Sequence, residues 1–532
     1  MRVNPLAVGL AVATAAIGAC VESDVAPRGW RGAAGERPAR SLIVMRGADA
    51  TDLDPACLVD FESREVAAQL YQGLVQLDPT NAEVRPALAV SWHADPMLRR
   101  WTFELAPGRQ FHDGAAVDAA AVVASFTRQL DPQAVGSRAN CGGANPALAH
   151  IAAVRAVDPR TVEFTLDAPS ATFIDALVVP AAYVVSPAAA HLATEPSGTG
   201  PYRLATWLPG QRLVLEAAPT AASPAPWFAR VTFEVERDPR QRLVALESGA
   251  ADLAVGVVPD DQAYVALHPG LQLHVIATDG IAYLAMNQQR PPLNDARLRR
   301  AIAHAINRAG LVARAYDGRG VLADGALPTS SWAYHEPTTV YAYDPARAEA
   351  LVREVGSELD GLPPLRLLVA VEPRPLLAEP ELVGRAIAAN LAAVGLTVEV
   401  TALPVNELRR AVAAGEHDLA VFGGIPESND PGALLGQLFD SRNAEPGRAT
   451  NLGFFRDPSV DELLDRAQQR GTLTARRELY AEVQDRVAAA AAWVPLAHPA
   501  LTYAARADIA ALPSGGRGVI AYAGLRPTGA TP

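Results

Sequence analysis

The chain of 532 residues contains no lysine, so all 46 of its basic residues are arginines. Without lysine it has no Schiff-base amine, no Ser-Lys dyad and no Walker lysine for a nucleotide phosphate. The basic residues are also outnumbered, because 58 aspartates and glutamates give a formal net charge of −12. An acidic chain repels phosphate backbones, so we do not expect nucleic acid as a partner.

Catalytic motifs are missing as well. The sequence has no GxSxG elbow, no HExxH and no CxxC, and its 10 histidines are scattered. These motifs would have indicated a nucleophile or a metal centre. The trio His112-Asp113-Gly114 resembles a catalytic pair, but Asp-Gly after an aromatic strand end is typical of a turn. We therefore predict no enzyme activity, no cofactor and no metal site.

The first twenty residues predict an export signal. Arg2 supplies a positive start, a mostly apolar run covers 6–17, and small residues precede Cys20. This order is typical of secretory signals, and the run is too short to span a bilayer. The segment that ends at Cys20 also resembles a lipobox, whose cysteine is lipidated; an ordinary signal peptide is the alternative. Residues 21–40 predict a flexible tether, so we expect a lipid-anchored protein in the periplasm or on the outer surface.

Two further cysteines, Cys57 and Cys141, lie in the body of the chain. An oxidising compartment outside the cytoplasm favours a disulfide between them. Closing so long a loop would stabilise the fold by about 4–5 kcal/mol. Two buried free thiols are the alternative.

Short segments in which apolar and polar residues alternate predict β-strands. Their apolar faces are Trp101, Phe103 and Leu105; Val162, Phe164 and Leu166; Val231, Phe233 and Val235; Leu271, Leu273 and Val275; and Leu396, Val398 and Val400. Asn294 or Asp295 is positioned to cap a helix whose Leu298, Ile302 and Ile306 repeat every four residues. Further helices are predicted over 381–394, 460–469 and 474–492. The irregular alternation of strands and helices favours an α/β architecture with more than one lobe.

Several sequence blocks follow one another in an order that is typical of one protein family. The blocks are Leu53-Asp54-Pro55, Tyr71-Gln72-Gly73-Leu74, Trp101 to Leu105 with Phe111 to Gly114, Gly198 to Tyr202, Leu246 to Asp252, Pro292 to Asp295, Asn429-Asp430-Pro431 and Asp461 to Leu464. Together they resemble the family 5 extracellular solute-binding proteins. These include the oligopeptide-, dipeptide- and nickel-binding components of ABC importers.

The resemblance implies a two-lobed type II periplasmic-binding fold with an extra subdomain in lobe one. Lobe one is expected over 41–265, lobe two over 270–480, and a return to lobe one over 481–532. Such a protein, expected to be a monomer, captures a small solute between closing lobes and delivers it to an ABC permease. A peptide is the favoured solute, with sugars, nickel chelates and opines left open. The functional alternatives are a sensor lipoprotein without a transporter and a secreted hydrolase.

The resemblance also implies ligand contacts at Glu427, Asp60, Phe61, Asn429 and Phe422. In peptide-binding relatives an acidic residue at the position of Glu427 pairs with the ligand's α-amino group, which is a charge-assisted hydrogen bond. Asp60 and Phe61 correspond to a ligand-facing loop. The sequence departs from its relatives nearby, because Gly424 stands where they can place tryptophan and Val421 where an oligopeptide binder can place arginine. These departures leave the size and class of the peptide open.

Overall fold

The computed structural model describes residues 40–530 except 59, 79–82, 132–145, 220–224, 317–319, 360, 427, 429, 470 and 514–517. The predicted signal peptide and tether, with Cys20, therefore lie outside the described residues. So do Cys141, Glu427 and Asn429.

The described residues form nineteen β-strands and thirteen α-helices, numbered here in chain order. Strands β1 to β19 are Ser41–Arg46, Val75–Leu77, Val84–Pro86, Ala89–Ala94, Arg100–Leu105, Ile151–Asp158, Thr161–Leu166, Tyr202–Leu208, Arg212–Ala217, Arg230–Val235, Leu253–Val255, Leu271–Ala277, Ile281–Met286, Val321–Leu322, Leu365–Ala370, Val398–Leu403, Leu419–Gly424, Trp493–His498 and Ala500–Arg506. Helices α1 to α13 are Phe61–Leu70, Ala119–Leu130, Phe173–Ala176, Pro239–Glu247, Pro259–Leu267, Ala296–Ala305, Arg308–Ala315, Pro345–Val355, Pro380–Ala392, Val405–Ala413, Pro431–Phe439, Pro458–Gln469 and Leu473–Ala489.

Two large mixed sheets organise the fold. A seven-stranded sheet has the order β12-β19-β11-β1-β10-β9-β8, and we call the part of the chain built on it lobe one. A six-stranded sheet has the order β14-β18-β13-β17-β15-β16, and the part built on it is lobe two. In both sheets, strands that are distant in sequence are neighbours, so the chain passes between the lobes more than once.

The two crossings lie side by side. The first joins β12 to β13, and the second joins β18 to β19. The hydroxyl of Thr278 donates to the carbonyl of Pro499 over 2.8 Å, and His498 Nδ1 lies 2.9 Å from the carbonyl oxygen of Gly280. Polar groups in both connections therefore find partners in the other connection.

Two strands lie outside the ranges predicted for their lobes. Strand β12 was expected in lobe two but pairs with β19 in lobe one. Strand β18 was expected in the returning segment of lobe one but pairs with β13 in lobe two. Each strand lies near a boundary between two predicted ranges. The periodicity of a strand does not show which of two sheets the strand joins.

An extra subdomain follows the first strand of lobe one. Its antiparallel sheet has the order β4-β5-β7-β6 and covers a separate aromatic core. Phe164 packs edge-on against Phe103 and Phe126, with ring centroids 5.5 and 4.9 Å away. Trp101 is also buried in this core. Along β5 the apolar residues alternate with more exposed ones, as the sequence predicts.

The predicted cap of α6 and the predicted Asp113-Gly114 turn are observed. Asp295, rather than Asn294, caps α6, because its carboxylate accepts the backbone N–H of Arg297 over 2.7 Å. Gly395 has φ +87° just beyond α9, a conformation that favours glycine after a helix end. Asp113 and Gly114 form the expected turn, in which the Asp113 carboxylate accepts the N–H of Ala115.

Within the described residues, no helix is both long enough and apolar enough to cross a membrane.

Candidate functional site

The N-terminus of α1 supplies the lobe-one side of the candidate site. Asp60 caps this helix, and its Oδ1 accepts the backbone N–H of Ser63 over 2.7 Å. Its Oδ2 accepts the hydroxyls of Ser63 at 2.8 Å and Thr51 at 2.5 Å. The Asp60 carboxylate is therefore engaged within lobe one, and its structural role is that of a helix cap.

A tight turn after β15 supplies the lobe-two side. Arg374 and Leu377 exchange two backbone hydrogen bonds of 2.9 Å each, and Leu376 lies at the tip between them. Leu376 belongs to the same buried cluster as Phe61, so this turn packs into lobe one. The predicted contact residue Phe61 is itself buried in this cluster.

Two glycines allow the close approach of this turn. A Cβ atom at Gly280 would lie 2.9 Å from Leu376 Cδ1, and one at Gly423 would lie 3.2 Å from Leu376 Cβ. The first distance is shorter than carbon atoms tolerate, and the second is tight. Glycine at these positions leaves the space into which Leu376 fits.

An ion pair joins the lobes beside this contact. Arg374 Nη2 of lobe two lies 3.4 Å from Glu62 Oε2 of α1. The side chain of Arg374 is 14% exposed and that of Glu62 is 11% exposed, so water screens the pair little. The two lobes therefore meet through paired charges as well as apolar surface.

A second arginine of lobe two, Arg409 on α10, lies close to this pair. Its guanidinium is 5.9 Å from the ring centroid of Phe422, another predicted contact residue. Burial, reinforced by the nearby charges of Arg374 and Arg64 and opposed by those of Asp60 and Glu62, lowers the pKa of Arg409 to about 10. We call Asp60, Glu62, Arg64, Arg374 and Arg409 the interlobe charge cluster.

The loop of the predicted residues Glu427 and Asn429 connects β17 to α11. Neither residue is among those described, so their contacts remain predictions. The end of the loop is firmly held, because Asp430 caps α11 and its carboxylate accepts the Tyr480 hydroxyl over 2.8 Å. Arg476 forms a buried ion pair with the same carboxylate. The loop thus begins at the end of β17, two residues after Phe422. It ends at a fixed point, Asp430, whose carboxylate is held by Tyr480 and Arg476.

The extra subdomain touches lobe two near that fixed point. The backbone N–H of Ala171 donates to the carbonyl of Gln468 over 3.0 Å. Asp175 on α3 lies in the electrostatic field of Asp430 and Arg476. Burial, reinforced by the Asp430 carboxylate and opposed by Arg476, raises the pKa of Asp175 to about 7. Asp175 is therefore a titratable group at the contact between lobe two and the subdomain.

The sequence also predicts a disulfide between Cys57 and Cys141 and no metal site. Cys57 is disulfide-bonded, and its predicted partner Cys141 lies outside the described residues. Among the residues that the structure describes, no group of three or more His, Cys, Asp or Glu side chains is arranged to hold a metal ion.

The structure adds residues that the sequence prediction missed. Phe61 and Phe422 lie beside the interlobe charge cluster, but Glu62, Arg374, Arg409 and Asp175 were not predicted. Their only signal in the sequence is a charge at a helix start, within a helix or next to a proline, which is common on protein surfaces. Their importance follows from contacts between parts of the chain that are far apart.

Comparisons with known proteins agree with this architecture. The family described as bacterial extracellular solute-binding proteins, family 5, matches residues 83–446. A probable D,D-dipeptide-binding periplasmic protein of Escherichia coli K12 is 30% identical, over 86% of this chain and 88% of its own length. A glutathione-binding protein of Shigella boydii is 29% identical, over 86% and 89%.

Solved structures show the same fold. A periplasmic binding protein of Helicobacter pylori, associated with an ABC transporter and bound to the peptide STSA, superposes with a TM-score of 0.81 at 25% identity, over 90% of this chain and 97% of that one. A dipeptide-binding protein of Pseudoalteromonas with Met-Leu gives a TM-score of 0.84 at 21% identity, over 92% and 100%. These neighbours confirm the predicted two-lobed type II periplasmic-binding fold.

Proposed function

Because the chain belongs to family 5 of the bacterial extracellular solute-binding proteins, we propose that it captures a short peptide between its lobes and delivers it to an ABC permease. Members of this family bind solutes and are not enzymes, in agreement with the prediction from sequence. The observation that supports a peptide is the interlobe charge cluster, in which arginines of lobe two face the start of α1 across the lobe contact.

A short peptide has the charges that this site can satisfy. Its carboxylate is a planar group with two acceptor oxygens, which suits the guanidinium of Arg374 or Arg409. Its ammonium needs an acceptor, and Glu427 in the loop after β17 is the proposed partner. Burying both ends without such partners would cost several kcal/mol, so the site selects ligands that carry both charges.

The test of this proposal is calorimetric binding of Ala-Ala to the wild type and to Glu427→Ala. We expect the variant to bind at least about tenfold more weakly, because the buried ammonium loses its partner. N-acetylated Ala-Ala is the matched ligand control, since it lacks the ammonium and should not distinguish the two proteins. Equal affinity of both proteins for Ala-Ala would remove Glu427 from the site, and absence of binding to Ala-Ala and to longer peptides would refute the peptide function.

We also propose that the protein is a monomer held at the membrane by acyl chains on Cys20. Multiple acyl chains bind a bilayer stably, at about 0.8 kcal/mol for each buried methylene. We expect Cys20→Ser to move the protein from the membrane fraction to the soluble periplasmic or extracellular fraction. A variant that remains in washed membranes would contradict the anchor, while Cys57→Ser in the same assay controls for the effect of losing any cysteine.

A further inference from the structure

The carboxylates of the interlobe charge cluster are already engaged. Both oxygens of Asp60 accept hydrogen bonds from lobe one, from Ser63 and Thr51. Glu62 forms its ion pair with Arg374. The carboxylates of Asp60 and Glu62 thus interact with other groups, and neither forms an ion pair with Arg409.

Arg409 differs from Arg374, which is paired with Glu62. Within the described part of the chain Arg409 donates no hydrogen bond and forms no ion pair, and its guanidinium lies 5.9 Å from the ring centroid of Phe422. An aromatic face stabilises a guanidinium but leaves the N–H groups at its edge available as donors. Arg409 is also half-buried, so its guanidinium is only partly exposed to water.

We propose that Arg409 and Phe422 form a subsite for a second anionic group of the ligand, the side-chain carboxylate of an acidic peptide. This inference rests on the proposed peptide function and adds a preference within it. In this assignment the first anionic group, the terminal carboxylate, pairs with Arg374, whose guanidinium has N–H groups left beside its one hydrogen bond to Glu62. A further carboxylate at the edge of Arg409 forms two parallel charge-assisted hydrogen bonds while the guanidinium remains stacked on Phe422.

The electrostatic environment supports this assignment. Burial and the neighbouring arginines Arg374 and Arg64 disfavour the charge on Arg409, as its lowered pKa shows. A bound carboxylate would relieve that repulsion, whereas a neutral side chain of the same shape would not. Discrimination between glutamate and glutamine is therefore the property that identifies the subsite, because the two differ in charge and hardly in volume.

The experiment compares four dipeptides by calorimetry: Ala-Glu, Glu-Ala, Ala-Gln and Gln-Ala. The wild type is expected to bind one of the acidic peptides roughly tenfold more tightly than its amide counterpart, as charge-assisted hydrogen bonds to a half-buried arginine allow. Arg409→Gln is expected to reduce this ratio to about one. Arg410→Gln is the matched control, because Arg410 is the next residue of α10 but is exposed to solvent.

Each outcome is decisive. A wild-type ratio near one for both peptide pairs, or a ratio that persists in Arg409→Gln, overturns the subsite. Loss of the ratio in Arg410→Gln as well shows a general effect of surface charge and also overturns it. If amide peptides bind and acidic ones are not preferred, the proposed peptide function stands and only the subsite fails. If none of the four peptides binds, nor Ala-Ala, nor longer peptides, the peptide function itself fails.

Discussion

Replacing Arg374 with alanine is expected to weaken peptide binding about 100-fold. The variant loses the arginine that pairs with Glu62 across the lobe contact, and Glu62 remains buried there without its partner. A truncated buried charge pair costs about 2–5 kcal/mol, most of it from the charge left behind. Because water solvates Glu62 when the lobes separate, the cost falls on the closed form and on the affinity that depends on it.

The control for this prediction is a double-mutant cycle with Glu62→Gln. If the pair acts across the lobes, the effect of Arg374→Ala is smaller in the Glu62→Gln background, since no unpaired carboxylate remains. Arg385→Ala is a matched surface control, because Arg385 pairs with Glu381 on the exposed face of α9 and such pairs contribute less than about 1 kcal/mol. The prediction is wrong if Arg374→Ala lowers the unfolding temperature of the ligand-free protein strongly while affinity is retained.

Raising the pH from 5.0 to 7.5 is expected to weaken peptide binding roughly thirtyfold. The group responsible is Asp175, whose pKa is raised to about 7 where the subdomain touches lobe two. When the lobes separate, the pKa of the Asp175 carboxyl is expected to lie closer to its ordinary value. The closed form therefore binds the proton more tightly than the open form. Closure is therefore favoured at acidic pH and loses that contribution as the pH rises through 7.

Asp175→Asn is the variant that isolates this effect. An amide cannot ionise, so the variant is expected to bind with little change between pH 5.0 and 7.5 and more tightly than the wild type at pH 7.5. Asp167→Asn, at an exposed position of the same subdomain, is expected to keep the wild-type dependence. A slope that survives in Asp175→Asn would assign the titration to another group or to the peptide itself.

The sequence predicted those parts of the fold in which local pattern and environment agree. The alternation of Trp101, Phe103 and Leu105 indicates a strand with one buried face, and in β5 these three residues are buried. Asp295 before an apolar stripe of period four reports a capped helix, and α6 begins there. Such patterns depend on the residue and its near neighbours, which is why they can be read without the tertiary structure.

The lobe contact could not be predicted in this way. Arg374 and Glu62 are 312 positions apart in sequence, and neither carries a local pattern that distinguishes it from a surface charge. The elevated pKa of Asp175 likewise arises from burial, reinforced by Asp430, which is 255 positions away in the sequence. Asp60 shows the opposite case: the sequence marked it as a candidate contact, whereas its carboxylate is engaged as a helix cap. Polar residues at helix starts serve both purposes, and the sequence does not separate them.

The paired crossings have a mechanical consequence. A single strand between two bodies would permit rotation in every direction, but the side-by-side connections through Thr278 and Pro499 form a two-stranded ribbon. A ribbon flexes easily across its width and resists torsion, so opening is confined to one angular coordinate. A pair of spin labels placed one on each lobe, opposite this ribbon, should therefore report capture of the ligand as a shift along a single distance distribution.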